Sequence, residues 1–146
     1  MPSRATPSAP PNATHTELAL ASLATIPTGP NALRVTDGLL AILRAGGVPP
    51  QQAAWFLDRL FLYIAGDAYE GALYAEKVRA AGQDQETWWA RMREQLSGYY
   101  GSLPANRYPH LREHLDALLA GDGDTRFDFG LDLLIQGVAG YVPRRE

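Results

Sequence analysis

The hydrophobic positions of this chain recur at helical spacing over almost its whole length. After about residue 14, apolar residues repeat three and four positions apart, and no alternating stretch is bounded by hairpin turns. The pattern predicts six helices, at about 17–24, 31–45, 50–75, 85–101, 109–121 and 125–142. The predicted fold is therefore an all-α helical bundle.

Several predicted helix ends carry their own signals. Gly46 and Gly47 stop the second helix, and Pro50 opens the third, because the amide hydrogen that proline lacks would be unpaired in the first turn. Thr125 with Asp128 three residues later forms a capping pair for the last helix.

The third predicted helix is apolar around nearly its whole circumference. Between residues 51 and 65, only Gln51, Gln52, Asp58 and Arg59 are clearly polar. A helix of this kind must be covered on all sides, and a domain this small covers only about half of it. A partner chain or a bound ligand is the expected cover for the remainder.

The last predicted helix has one wide apolar face that contains two glycines. Its members are Phe127, Gly130, Leu131, Leu134, Gly137, Val138 and Tyr141. Glycine inside a helix costs roughly 1 kcal/mol relative to alanine, so two on one face suggest that a second backbone approaches closely. We predict a dimer-forming helix; the alternative is an ordinary buried terminal helix.

The fourth predicted helix carries aromatic residues along one face. Trp88, Trp89, Met92, Leu96, Tyr99 and Tyr100 lie at helical spacings. Such a stripe is usually part of a core, but two tryptophans and a methionine in line also suit the wall of an apolar pocket.

Composition narrows the class of protein. The 146 residues, 46% of them hydrophobic, suffice for one domain, predicted at 15–146 after a disordered tail rich in Pro, Ser and Ala at 1–14. A net charge of -3 without a basic cluster, apart from Arg144 and Arg145, argues against direct DNA binding. No apolar run is long enough to span a membrane, no signal peptide is visible and cysteine is absent, so a soluble cytoplasmic protein is expected.

One pattern resembles a zinc-enzyme motif. His110, Glu113 and His114 fit H-x-x-E-H, in which two helical imidazoles hold zinc beside a carboxylate base. A catalytic site needs a third protein ligand and a cleft, and little sequence remains to build them. We interpret the pattern as a solvated helix face and keep zinc-dependent hydrolysis as a rival hypothesis. No nucleophile elbow or nucleotide-binding loop occurs, so the expectation is no enzyme, no cofactor and no metal.

Three segments together resemble the C-terminal domain of tetracycline repressor family regulators. They are PNALR at 30–34, LLAILRAGGVP at 39–49 and RFDFGLDLLIQGV at 126–138. The likeness extends over about residues 15–141. In that family this domain binds a small molecule and dimerises.

The resemblance implies where both functions lie. The third and last helices would pair with their symmetry mates as a four-helix bundle, with an interface formed by Phe61, Ile64, Phe127, Gly130, Leu131, Leu134, Gly137, Val138 and Tyr141. A pocket among the second, third and fourth helices would use Leu33, Thr36, Leu40, Phe56, Arg59, Tyr63, Glu70, Trp88, Trp89 and Met92.

Two charged residues in this set stay open to either interpretation. Arg59 and Glu70 form a rim salt bridge, or one of them orients a ligand inside an apolar cavity. Glu70 falls near a carboxylate that tetracycline-binding members use around a magnesium–drug complex. No histidine precedes it on the predicted helices apart from His15, so tetracycline itself is not expected.

The predicted function is an effector-binding and dimerisation domain that senses a hydrophobic small molecule as a homodimer. Full regulators of this family begin with a basic helix-turn-helix domain, whereas this sequence begins with the Pro-rich tail. DNA would be reached only through a missing N-terminal domain or a full-length partner, and an excised domain, a late start and a natural truncation all remain open. The alternative function is a helical protein-interaction module without a ligand pocket.

Overall fold

A computed structural model of the chain describes residues 28–143. Within this range, all regular secondary structure is helical, which confirms the predicted fold class. The helices are α1 (Pro30–Ala45), α2 (Pro50–Ala80), α3 (Gln85–Ser102), α4 (Pro109–Glu113), α5 (Leu115–Leu119) and α6 (Gly123–Ala139). The predicted tail at 1–14 and the predicted helix at 17–24 lie outside the described residues.

Helix α1 ends as its sequence predicts. Gly47 adopts φ +87°, a left-handed conformation that favours glycine. The Gly47 amide donates to the Arg44 carbonyl at 3.0 Å, and the Val48 amide donates to the Leu43 carbonyl at 3.0 Å. These two bonds form a Schellman motif, which satisfies carbonyls at the end of the helix and directs the buried Val48 side chain into the core.

Helix α2 is longer than predicted, because it ends at Ala80 rather than near residue 75. The added turn contains Glu76, Lys77 and Arg79, which are good helix formers. The first glycine after the predicted end of the helix is Gly82, which has φ +63°. The helix propensity of these residues is enough to extend α2 beyond the end of its apolar repeat.

The fifth predicted helix is divided, and the start of the last one is shifted. His114, with φ −108° and ψ 22°, separates α4 from α5. Helix α6 begins at Gly123, because the Asp122 carboxylate accepts hydrogen bonds from the Thr125 amide (2.8 Å) and hydroxyl (2.6 Å). The predicted Thr125 cap was therefore wrong: Thr125 donates to the capping residue. Helix α6 ends at Ala139, before Pro143, which disfavours helical geometry at the residue preceding it.

The described residues form two compact units, one of residues 28–72 and 129–143 and the other of residues 73–128. In the described part of the first unit, the core cluster consists of Val48, Ala53 and Val138. Four partly buried apolar side chains pack against it: Leu40, Leu43, Phe56 and Val142. Helices α1, α2 and α6 each contribute to this core.

In the second unit, α3 packs against both α4 and α5. The buried residue of α3 is Trp88. The Arg126 guanidinium donates to the carbonyls of Leu118 (2.7 Å) and Ala120 (2.8 Å), which satisfies acceptors at the end of α5. Among the described residues of both units, no helix is long and apolar enough to cross a membrane.

Candidate functional site

The Thr36 hydroxyl is the clearest polar anomaly of the first unit. Its Oγ1 atom is buried and has no hydrogen-bond partner among the described residues. Leu33 and Leu40 precede and follow it by about one helical turn, and Leu40 packs against the core cluster. A buried hydroxyl without a partner costs free energy, so this atom can accept or donate a hydrogen bond to a ligand at little further cost.

Two further predicted pocket residues contribute apolar surface and a close contact to the first unit. Phe56 is half-buried and packs against the core cluster. The phenol ring of Tyr63 lies against the backbone of Gly130, and a Cβ at residue 130 would come within 2.6 Å of the ring atom Cζ. The chain thus brings α2 and α6 into direct contact at a glycine.

Arg59 and Glu70 lie on the exposed surface of α2. Arg59 donates through Nε to the neighbouring Asp58 carboxylate at 3.0 Å, and both side chains are about two-thirds exposed, at 64% and 65%. Arg59 therefore forms a surface ion pair, although with its sequence neighbour rather than with Glu70. An exposed pair of this kind contributes little to stability.

The other predicted pocket residues, Trp88, Trp89 and Met92, belong to the second unit. Trp88 and Trp89 meet edge to face with ring centroids 4.8 Å apart, and the Tyr74 ring lies 4.8 Å from Trp89. The Lys77 ammonium lies 5.0 Å from the centre of the Tyr74 ring. Tyr74 was missed from the sequence because it lies on another helix, and no spacing rule relates it to the tryptophans.

The second unit carries two surface depressions. The smaller, of about 160 Å³, is lined by Ala81, Gln83, Trp88, Arg91, Met92 and Gln95. The larger is an open groove of about 430 Å³ lined by Ala90, Arg93, Glu94, Ser97, Asp116, Leu119 and Ala120. Sequence reasoning missed this groove because its charged residues looked like ordinary solvated positions. Its walls include both charge signs and small residues, unlike the mostly apolar walls of a typical site for a hydrophobic ligand.

The predicted interface face of α6 mostly points into the chain itself. Val138 is buried in the core, and Phe127, Gly130, Leu131 and Leu134 are partly buried. Within this chain, the group that approaches Gly130 is the Tyr63 side chain rather than a second backbone. Sequence periodicity identified the apolar face correctly but could not show that the same chain covers it.

A different set of apolar side chains on α6 is exposed. Phe129 is 65% exposed and Leu133 is 54% exposed. They share one stripe with Gly137, at which an added Cβ would meet no atom of the described residues within 4 Å. Tyr141, just after the helix, is also exposed. Gly137 on α6 and Tyr141 just after it are thus the members of this part of the predicted interface that are exposed.

Helix α2 also presents apolar side chains outward. Trp55, Leu62 and Ile64 are exposed by 64%, 44% and 43%. Phe61, the other predicted interface residue on this helix, is half-buried. We use the term outer apolar surface for six of the exposed residues of the first unit: Trp55, Leu62, Phe129, Leu133, Gly137 and Tyr141. Ile64 is left out because it lies about 180° from Trp55 around α2.

The carboxyl groups whose pKa values are clearly shifted lie at helix caps rather than at the candidate pocket. The hydrogen bonds from the Thr87 amide and then from its side chain lower the pKa of Asp84 below 3.8. The hydroxyl and amide of Thr125 likewise lower the pKa of Asp122. Both carboxylates begin helices, so these shifts reflect capping, and they provide no sign of acid–base catalysis.

Comparisons with known proteins agree on one family. The sequence model of the tetracyclin repressor-like C-terminal domain matches residues 13–142. A search of curated proteins found no significant match.

Among solved structures, ActR from Streptomyces coelicolor without ligand is similar over 91% of this chain, with 27% identity and a TM-score of 0.70. The complex of ActR with actinorhodin has 28% identity and a TM-score of 0.69 over 88% of this chain. The complex of ActR with (S)-DNPA has 27% identity and a TM-score of 0.67 over 87% of this chain. The matches cover 58%, 56% and 55% of the respective ActR chains, so this chain corresponds to little more than half of ActR.

Proposed function

The chain belongs to the tetracyclin repressor-like family through its C-terminal domain, and from this premise we propose that it is the effector-binding and dimerisation domain of a transcriptional repressor. The family is regulatory and non-enzymatic. The proposed effector is a hydrophobic small molecule, and the proposed working form is a cytoplasmic homodimer.

The Thr36 hydroxyl, which has no hydrogen-bond partner within residues 28–143, carries the ligand-binding part of the proposal. Small-molecule sites are mostly apolar and contain a few polar groups that fix the orientation of the ligand. Thr36 supplies such a group one helical turn from Leu33 and Leu40, and Leu40 packs against the same core cluster as Phe56. The sequence assigned all four residues to the pocket. An effector with one hydrogen-bonding group on an apolar body would satisfy the hydroxyl and cover the exposed Leu33.

The outer apolar surface supports the dimerisation part. A monomeric soluble protein rarely exposes many large apolar side chains close together, whereas the centre of a dimer interface is enriched in them. Phe129 and Leu133 on α6, with Trp55 and Leu62 on α2, would pack against the same residues of a second copy. The open Gly137 would allow two α6 helices to approach closely.

Regulation would follow from differential affinity. An effector that binds one arrangement of the two protomers more tightly than another shifts the population toward that arrangement. A DNA-binding domain linked to this one would respond to the shift. We expect no direct DNA contact from this domain, because its charge is negative and a basic surface is the usual requirement.

The experiment combines sedimentation with a ligand-shift melting screen of the full chain. Actinorhodin and (S)-DNPA, which are named in complexes with ActR, are the first probes, followed by a library of hydrophobic small molecules. The proposal predicts a dimer whose Tm rises with ligand concentration. A monomer whose Tm none of these molecules changes would refute it and favour the interaction module without a pocket.

A further inference from the structure

Three metal-ligating side chains meet at the junction of α4 and α5. His110, Glu113 and His114 each offer one ligand atom, and these three atoms lie within 4.8 Å of one another. The imidazole rings are parallel, with an interplanar angle of 6° and centroids 6.5 Å apart. His114 Nε2 and the nearer Glu113 carboxylate oxygen are separated by 3.8 Å.

The backbone holds these side chains in register. The His114 amide donates to the His110 carbonyl at 3.0 Å, which places the two imidazoles one helical turn apart on the same side. Glu113 lies three positions after His110 and immediately before His114, so its side chain leaves the same helical turn as the two imidazoles. The three groups come from one short segment and need no other part of the chain to align them.

The distances suit a small transition-metal ion after a modest closure. Zinc bonds nitrogen and oxygen at about 2.1 Å, so the ligand atoms of a tetrahedral site lie about 3.4 Å apart. The present separations of up to 4.8 Å are larger by at most about 1.4 Å. The side chains of His114 and Glu113 are 60% and 66% exposed, so rotation about their own bonds can close the gap without moving the core.

We propose that His110, Glu113 and His114 form a surface binding site for a transition-metal dication of the Zn²⁺ class. Two imidazoles and one carboxylate are the ligands such ions prefer, whereas Mg²⁺ and Ca²⁺ favour all-oxygen sites. Water completes the coordination shell, since the whole site is exposed. The site is not catalytic, because it lies on an open surface in a non-enzymatic family.

Binding has a structural consequence at this position. His114 ends α4 and precedes α5, with backbone angles outside the regular helix. A metal bridging His110 and His114 would fix this turn, and α4 and α5 both pack against α3. Metal binding therefore stabilises the second unit, independently of any effector.

The test is isothermal titration calorimetry of the tag-free, EDTA-treated full chain with Zn²⁺. We expect saturable binding of one Zn²⁺ ion per chain with a Kd below about 1 mM. We expect His110→Ala and His114→Ala each to raise this Kd more than about tenfold. Glu113→Gln weakens binding as well, because the amide is a poorer ligand than the carboxylate. Mg²⁺ produces no saturable binding.

The remaining histidine of the chain provides the matched control. His15→Ala removes one imidazole outside the proposed site, and we expect its Zn²⁺ affinity to equal that of the wild type. Circular dichroism of each variant checks that helix content is retained. Absence of saturable Zn²⁺ binding, or binding that survives both His110→Ala and His114→Ala, would overturn the proposal. Unchanged affinity in Glu113→Gln would overturn the assignment of the carboxylate.

Discussion

Replacing Thr36 by valine should have opposite effects on stability and on ligand binding. The substitution keeps the branched shape of the side chain and exchanges only the hydroxyl for a methyl group. In the free protein the hydroxyl is buried without a partner among the described residues, so its removal relieves a desolvation penalty. In the complex, the same hydroxyl is proposed to bond the effector, so its removal loses an interaction.

The magnitudes follow from the partial burial of Thr36. An unpaired buried polar group costs about 1–3 kcal/mol, and the lower end applies because only the hydroxyl, and not the whole residue, is buried. The variant should therefore be more stable by about 1 kcal/mol, which for a chain of this size raises Tm by about 2–5 °C. Loss of one neutral hydrogen bond to the ligand should weaken binding about 5–10-fold.

The assay measures urea unfolding of the free protein and titration with a hydrophobic ligand found in the melting screen. Thr36→Ser is the matched control, because it keeps the hydroxyl and loses a methyl group; it should retain ligand affinity while losing stability. Wild-type affinity in Thr36→Val would remove Thr36 from the site. A loss of stability above about 1 kcal/mol in Thr36→Val would show that the hydroxyl is satisfied in the folded chain.

Three other substitutions test the dimer, the α6 cap and the turn after α1. Gly137→Leu should leave the helix content unchanged, because no atom of residues 28–143 lies within 4 Å of a Cβ added at residue 137. It should raise the dimer Kd about 100-fold, since overpacking in both copies costs roughly 3 kcal/mol; sedimentation showing an unchanged dimer would argue against the outer apolar surface. Asp122→Ala should lower stability at pH 7 in urea unfolding, whereas Asp122→Asn should retain the cap. Because folding lowers the Asp122 pKa, the stability that this carboxylate contributes is fully present above the ordinary value of 3.8 and is lost as the pH falls through the lower folded value. The wild type and Asp122→Ala should therefore become equally stable in acid. A stability difference that persists there would contradict the role of the Asp122 carboxylate as the cap. Gly47→Ala should cost about 1–2 kcal/mol in the same unfolding assay because its φ is +87°, while Gly46→Ala, at φ −74°, should be nearly neutral; equal effects would contradict the strain argument.

Sequence alone determined the all-helical fold class, the approximate positions of most of the described helices, and the glycine and proline signals that bound several of them. Helical periodicity is a local property, so the apolar face of α6 could be read directly from the order of its residues. The Gly46–Gly47 stop and the Pro50 start were likewise local, because they depend on the backbone conformations that single residues permit. The family resemblance rested on the same local patterns, and the family match confirmed it.

The tertiary structure decided which apolar surface is buried by the chain itself. Periodicity shows that Val138 and Gly130 share one face of α6. Only the packing of α1 and α2 shows that the chain itself covers this face, while Phe129 and Leu133 are exposed. It also decided that Arg59 pairs with Asp58 and that the Thr36 hydroxyl is left without a partner among the described residues. The physical reason is that burial and hydrogen-bond satisfaction depend on neighbours distant in the sequence, whereas helix formation depends mainly on residues within one turn.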